Sequence, residues 1–157
     1  MRINTARIAK VLGTAALVPA LALTMTTTTA HADGDVHWVH RDSGKALTVN
    51  WAHDHPDDVT LTWESDVWTQ WHDVHQSDGS WLEKSSADTG YCLTAYTDHD
   101  AYMEPCSGNN WQRWDEIGVG GGNWKLRNRQ TQECLDGNGS SVYMHECNDG
   151  NKYQLWY

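Results

Sequence analysis

The stretch that decides the fold is WKLRNRQTQECLDGNGSSVYMHECNDGNKYQLW, Trp124 to Trp156. It contains two cysteines, Cys134 and Cys147, an acid close to the first at Asp136, and a closing Gln154-Leu155-Trp156. Its apolar runs are short and the intervening residues are polar, with no sustained helical period, so it reads as β structure. Four strands are expected: Trp124 to Arg127, Glu133 to Asp136, Val142 to Cys147 and Tyr153 to Trp156. Gly137-Asn138-Gly139-Ser140 has the composition of a turn between the second and third.

Working outward, the same pattern recurs twice. Trp38, Trp81 and Trp124 are spaced by 43 and 43 residues, and Trp71, Trp114 and Trp156 by 43 and 42. Leu47, Leu93 and Leu135 fill one apolar slot, and Leu61, Met103 and Met144 another. Repeats are therefore expected at about 36–78, 79–121 and 122–157, with Asp78-Gly79-Ser80 and a flexible Gly118 to Gly122 between them. A unit of this size cannot bury its apolar face alone, whereas three closing on a common axis share one core.

Cys92 and Cys134 are 42 apart, and Cys106 and Cys147 are 41 apart. Four cysteines allow three connectivities. The repeat favours Cys92 with Cys106 and Cys134 with Cys147, because unit one then lacks a complete pair, having Ala46 in the first slot and Glu64 near the second. Pairing across units would require the two hairpins to lie side by side. No Cys-x-x-Cys spacing is present, so the cysteines do not suggest a zinc or redox site.

Residues 1–32 begin with Arg2, Arg7 and Lys10, continue through an apolar run from Val11 to Leu23, and end in Ala30-His31-Ala32. This is the pattern of a secretory signal cleaved after Ala32, and the run is too short to span a bilayer. A secreted, extracellular protein with lasting disulfides follows. Residues 33–157 then keep all 21 acids and eight of the eleven lysines and arginines, a formal charge of about −13. Such a surface repels phosphate backbones, so neither nucleic acid nor a membrane is an expected partner.

These repeats resemble the ricin-type β-trefoil lectins, which include carbohydrate-binding modules of secreted bacterial glycosidases. The resemblance rests on the period, the Cys-Leu pairs, the second cysteine about a dozen residues on, and Gln112-Arg113-Trp114 and Gln154-Leu155-Trp156 as Gln-x-Trp motifs. Unit one has Thr69-Gln70-Trp71, with its glutamine displaced by one. The likeness covers Trp38 to Tyr157 and implies an all-β fold, a β-trefoil of three repeats of about 43 residues. It also implies binding of galactose-like or xylose-like sugars in shallow pockets, up to one per repeat.

In that family an Asp two residues after the first cysteine accepts bonds from sugar hydroxyls. A ring two before the second cysteine stacks on the sugar, and an Asn before the Gln of Gln-x-Trp adds further bonds. In unit three these positions hold Asp136, His145 and Tyr153, with Asn148 and Asn151 nearby as polar substitutes. Unit two has Thr94, Glu104 and Trp111, and unit one has Thr48, Thr62 or Trp63, and Trp68. The resemblance thus implies a carbohydrate site at Asp136, His145, Asn148 and Tyr153. Trp71, Gln112, Trp114, Gln154 and Trp156 are expected to be structural.

Plainer readings stand beside these. Asp136 suits a turn in Asp-Gly-Asn-Gly, and a calcium loop there lacks its remaining ligands and closing Glu. His145 suits an exposed strand position. His53-Asp54-His55-Pro56-Asp57-Asp58 offers metal-ligating side chains but reads as a solvated loop tip, and His37, His40, His72 and His75 suggest a pH-sensitive surface. No Gly-x-Ser-x-Gly elbow or His-Glu-x-x-His helix is present, and no cofactor or resident metal is implied, so an enzyme is not expected. The alternative to a lectin is a degenerate trefoil whose acidic, Trp-bearing surface binds a protein partner.

Overall fold

A computed structural model describes residues 33–52 and 55–157. The expected signal segment 1–32, and His53 and Asp54 of the polar loop, lie outside the described residues. Unit one contributes β1 (Gly34–Val36), β2 (Ala46–Ala52), β3 (His55–Thr62) and β4 (Trp71–His75). Unit two contributes β5 (Trp81–Ser85), β6 (Tyr91–Ala95), β7 (Ala101–Pro105) and β8 (Trp114–Gly120). Unit three contributes β9 (Asn123–Asn128), β10 (Cys134–Asn138) and β11 (Ser141–His145). One-turn 3₁₀ helices, η1 (Val67–Thr69), η2 (Asn110–Gln112) and η3 (Lys152–Gln154), precede the closing tryptophans.

All pairings between strands are antiparallel, and their order closes a ring. Val36 pairs with Trp71 in β1–β4, Trp71 with Ser85 in β4–β5, Trp81 with Trp114 in β5–β8, and Trp114 with Asn128 in β8–β9. Bridges from Trp124 to Trp156 and from Trp156 to His40 complete it. The three hairpins β2–β3, β6–β7 and β10–β11 cover one end and touch through Asp58–Tyr102 and Ser141–Thr60. This is the β-trefoil that the family resemblance implies.

The repeated slots form the core. Trp71, Trp114 and Trp156 are fully buried, as are Leu47, Leu93 and Leu135. Each indole donates to the carbonyl of the leucine in its own unit: Trp71 to Leu47 at 3.1 Å, Trp114 to Leu93 at 3.0 Å and Trp156 to Leu135 at 3.1 Å. The tryptophan thus fills volume while its N–H remains satisfied, which is the condition for burying an indole. Leu61, Met103 and Met144 add a second buried layer.

Both disulfides form within units, Cys92–Cys106 and Cys134–Cys147. Two local expectations are corrected. The Tyr153 to Trp156 segment is not a strand: η3 occupies Lys152–Gln154, because the Asn151 side chain accepts from the Tyr153 N–H and stops the chain from extending. The stretch Gly118 to Gly122 is not a loose connector either. Strand β8 runs to Gly120 against β9, and Gly120, Gly121 and Gly122 all have positive φ, forming the tight turn between them.

Candidate functional site

The unit-three hairpin brings Asp136 opposite Tyr143 and Cys134 opposite His145. Side chains two apart on a strand share a face, so Asp136 and Cys134 on β10 face the same way as Tyr143 and His145 on β11. Asp136 is only 2% exposed. Its Oδ2 accepts from Asn151 Nδ2 at 2.7 Å, while Oδ1 is buried with no hydrogen-bond partner among the described residues. Burial, and then the Asp136 carboxylate, push the Tyr143 phenol above its ordinary pKa. Asp136 is therefore a buried acceptor with spare capacity, flanked by an amide and a phenol.

Asn151 has two roles, since its Oδ1 caps η3 through the Tyr153 N–H at 3.0 Å while its Nδ2 reaches Asp136. Beside it lies an open depression of about 500 Å³ lined by His145, Glu146, Cys147, Asn148, Asp149 and Asn151. The rim is fixed from three directions. The Cys134–Cys147 disulfide ties it to β10, Gln154 Oε1 accepts from the Asn148 N–H at 2.9 Å, and Lys125 Nζ reaches Asp149 at 2.9 Å. Asn148 Oδ1 accepts from the Gly150 N–H at 2.9 Å, so its amide group remains available toward the depression.

Of the four residues expected from sequence, His145 and Asn148 line this depression, and Asp136 lies behind it through Asn151. Tyr153 does not line the depression; its ring stacks on His40 at 6.4 Å and lies under Lys152 Nζ at 5.1 Å, close enough to influence Tyr143. Asn151 takes the more prominent polar position. The sequence signal for it is an Asx residue two before the aromatic of each closing turn: Asp66 before Trp68, Asn109 before Trp111 and Asn151 before Tyr153. His40 is not part of a pH-sensitive surface. It is 1% exposed, and burial lowers its pKa against the opposing influence of the Tyr153 carbonyl.

The other hairpins keep the frame without the acceptor. In unit two, Gln112 Nε2 donates to Thr94 Oγ1 at 3.1 Å, occupying the group that stands where Asp136 does. Tyr102 is opposite Thr94, and Tyr96 packs on Trp111 at 5.1 Å. In unit one Thr48 faces Thr60, and Trp51 packs on Trp68 at 5.2 Å. The displaced Gln70 of unit one contacts His37, while buried Thr69 completes the cap with Asp66. Among the described residues, no helix is long and apolar enough to cross a membrane.

Three hairpins on a six-part barrel, each closed by a buried Trp bonded to its own leucine, define a β-trefoil. The chain belongs to the ricin-type β-trefoil lectin domain family, whose model matches residues 32–156. No functionally curated protein matches the chain significantly. Among solved structures it is similar to ThreeFoil, a designed three-fold symmetric protein, with TM-score 0.70 and 26% identity over 79% of this chain and 96% of that one. It is also similar to SeviL bound to asialo-GM1 saccharide, with TM-score 0.65 and 17% identity over 80% and 95% of the two chains. A third likeness is to a GlcNAcα1-4Gal-releasing endo-β-galactosidase from Clostridium perfringens, with TM-score 0.66 and 17% identity, covering 78% of this chain and 31% of the enzyme.

Proposed function

We propose that the protein is a secreted, non-catalytic carbohydrate-binding domain whose principal site is the unit-three hairpin. Support comes chiefly from Asp136, which pairs a family acceptor position with a buried oxygen that lacks a donor and an Asn151 amide bordering an open depression. A buried acceptor without a partner is costly, and a ligand hydroxyl entering beside Asn151 relieves that cost. Asn151 and Asn148 supply amide groups for sugar hydroxyls, and His145 supplies a partial ring face. SeviL, solved bound to asialo-GM1 saccharide, makes that glycan the first to try.

The test is a glycan array followed by calorimetric titration of the best ligand against wild type, Asp136→Ala, Asn151→Ala and Thr94→Ala. Loss of about tenfold or more in affinity for the first two, with Thr94→Ala unchanged, is the expected outcome. Equal binding by all four proteins sinks the site. A protein partner is the second reading, favoured by Trp63 at 72% exposure and Trp51 at 49% on unit one. No retention of any glycan, with a secreted protein co-purifying through Trp63, is the result that supports it.

A further inference from the structure

On the strands where units one and two meet, three carboxyl groups approach one another inside the barrel. Asp73 on β4, Glu83 on β5 and Glu116 on β8 each offer an oxygen, all within 4.8 Å of one another. Asp73 and Glu83 are directly opposite in register, and Glu83 is fully buried. Trp38 Nε1 donates to Glu83 Oε2 at 2.9 Å, and the three carboxyls also hydrogen-bond one another, Glu83 with Asp73 and Glu116 with both. The fold does not require acids here. Glu83 follows its repeat tryptophan by two residues, and the same slot holds His40 in unit one and Leu126 in unit three.

A cavity of about 230 Å³ opens onto two of these acids, with Trp38, Trp124 and Tyr157 among its other walls and His37 beside them. Among the described residues, no lysine or arginine lines it. On β9, Lys125 and Arg127 are paired with Asp149 and Asp115, and the Arg41 guanidinium lies over the Tyr157 ring, 5.3 Å from its centroid. Carboxyl groups and aromatic rings in one lining are the two groups that attract a cation out of water. A bare metal ion would use the oxygens but not the rings, and a neutral apolar molecule would use the rings but not the oxygens.

We propose that this cavity binds a small organic ammonium ion, a protonated or quaternary amine, with Asp73 and Glu116 facing its charge, Glu83 reinforcing them from behind, and Trp38, Trp124 and Tyr157 enclosing its alkyl groups. This site is separate from the unit-three hairpin and stands independently of the carbohydrate reading. Without a ligand, the acids reduce their repulsion by keeping protons. Burial, and then neighbouring carboxyls, raise Glu83 well above the ordinary range and Glu116 to about 8. An ammonium ion replaces those protons, so binding releases protons near neutrality and strengthens as pH rises through about 8. His37 also faces the cavity from the segment after β1, and Tyr157 from the end of the chain.

The experiment is titration of the full chain with choline, followed by tryptophan fluorescence and by calorimetry in buffers of different ionisation heat. The neutral isostere 3,3-dimethylbutan-1-ol and calcium chloride are run in parallel. Saturable choline binding is expected, about tenfold or more tighter than the neutral isostere and tighter at about pH 9 than at about pH 6, with proton release near pH 7. Glu116→Gln should weaken choline about tenfold and flatten the pH profile. Glu83→Gln should also flatten it while leaving the Trp38 bond an acceptor. Thermal unfolding of each variant separates lost binding from lost fold. Equal binding of the isostere, calcium occupancy that choline does not displace, or no response to choline at about pH 9 would each overturn the proposal.

Discussion

Units two and three share a frame and differ in what they present. Each has a hairpin closed by a disulfide, a buried indole bonded to its own leucine carbonyl, and a buried glutamine bracing the turn after the second cysteine. Gln112 Oε1 accepts from the Ser107 N–H at 2.7 Å, and Gln154 Oε1 accepts from the Asn148 N–H at 2.9 Å. Their other amide ends diverge. Gln112 donates to Thr94 and to the Pro105 carbonyl, whereas Gln154 donates to the Glu146 carbonyl alone, leaving Asp136 to Asn151. The frame residues therefore hold the fold, and one substitution on β10 decides whether a hairpin offers a carboxylate.

If the frames are equivalent, their removal should cost the same. Trp114→Ala and Trp156→Ala are each expected to destabilise by about 3–5 kcal/mol, since each empties a fully buried indole site. Denaturant unfolding measures both. A gap much larger than the spread among core substitutions would break the equivalence. Next in size are the disulfides: the double variants Cys92→Ser with Cys106→Ser, and Cys134→Ser with Cys147→Ser, should each lose about 2–4 kcal/mol. Only the second should also weaken glycan binding, because Cys147 lies in the wall of the unit-three depression.

A pH series sharpens the contrast between the acid-bearing junction and unit three, where the slot matching Glu83 holds Leu126. Glu83 and Glu116 hold protons more tightly folded than unfolded, so their contribution to stability is fully present below the unfolded carboxyl range. The part carried by Glu116 is lost as pH rises through about 8, and that of Glu83 as pH rises well above the ordinary carboxyl range. The melting temperature without added ligand should fall between about pH 5 and pH 8, and Glu116→Gln should make that slope shallower. Leu126→Ala should lower the melting temperature without changing the slope.

The fold was legible because burial imposes period. Tryptophans at 43-residue spacing, with leucines and cysteines in register, have few arrangements that bury them all. The disulfide pairing followed from the same register. The closing turns were harder to read, because Tyr153, Leu155 and Trp156 have strand-like composition, whereas a single Asn151 side chain caps the segment into η3. The acidic triad was missed because its members come from different units and only the closed barrel brings them together. Its signal was nevertheless present: residues two apart on a strand share a face, so Asp73, Glu83 and Glu116, each two after a buried tryptophan, point inward. At the proposed site on the unit-three hairpin, the sequence placed Asp136, His145 and Asn148 near one another. It named Asn151 only as a polar substitute beside Tyr153, and it did not anticipate that Asp136 is covered.

The smallest expected effect bears most directly on the difference between the hairpins. Asp136→Asn keeps size and the potential to contact Asn151 but removes charge, so stability should change little while glycan affinity falls about tenfold. The reciprocal change, Thr94→Asp, puts a carboxylate beside Gln112 Nε2 in unit two, where Asn109 already caps η2 as Asn151 caps η3. If the carboxylate on β10 is what separates the two hairpins, calorimetry of Thr94→Asp should show a second, weaker glycan equivalent. Adding Glu104→His, which matches His145, should strengthen it further. Failure of both, with the fold intact, would locate the difference in the loop of Asn148 and Asp149, which Lys125 ties down in unit three. The residue matching Lys125 in unit two is Leu82, which has no charge to hold such a loop.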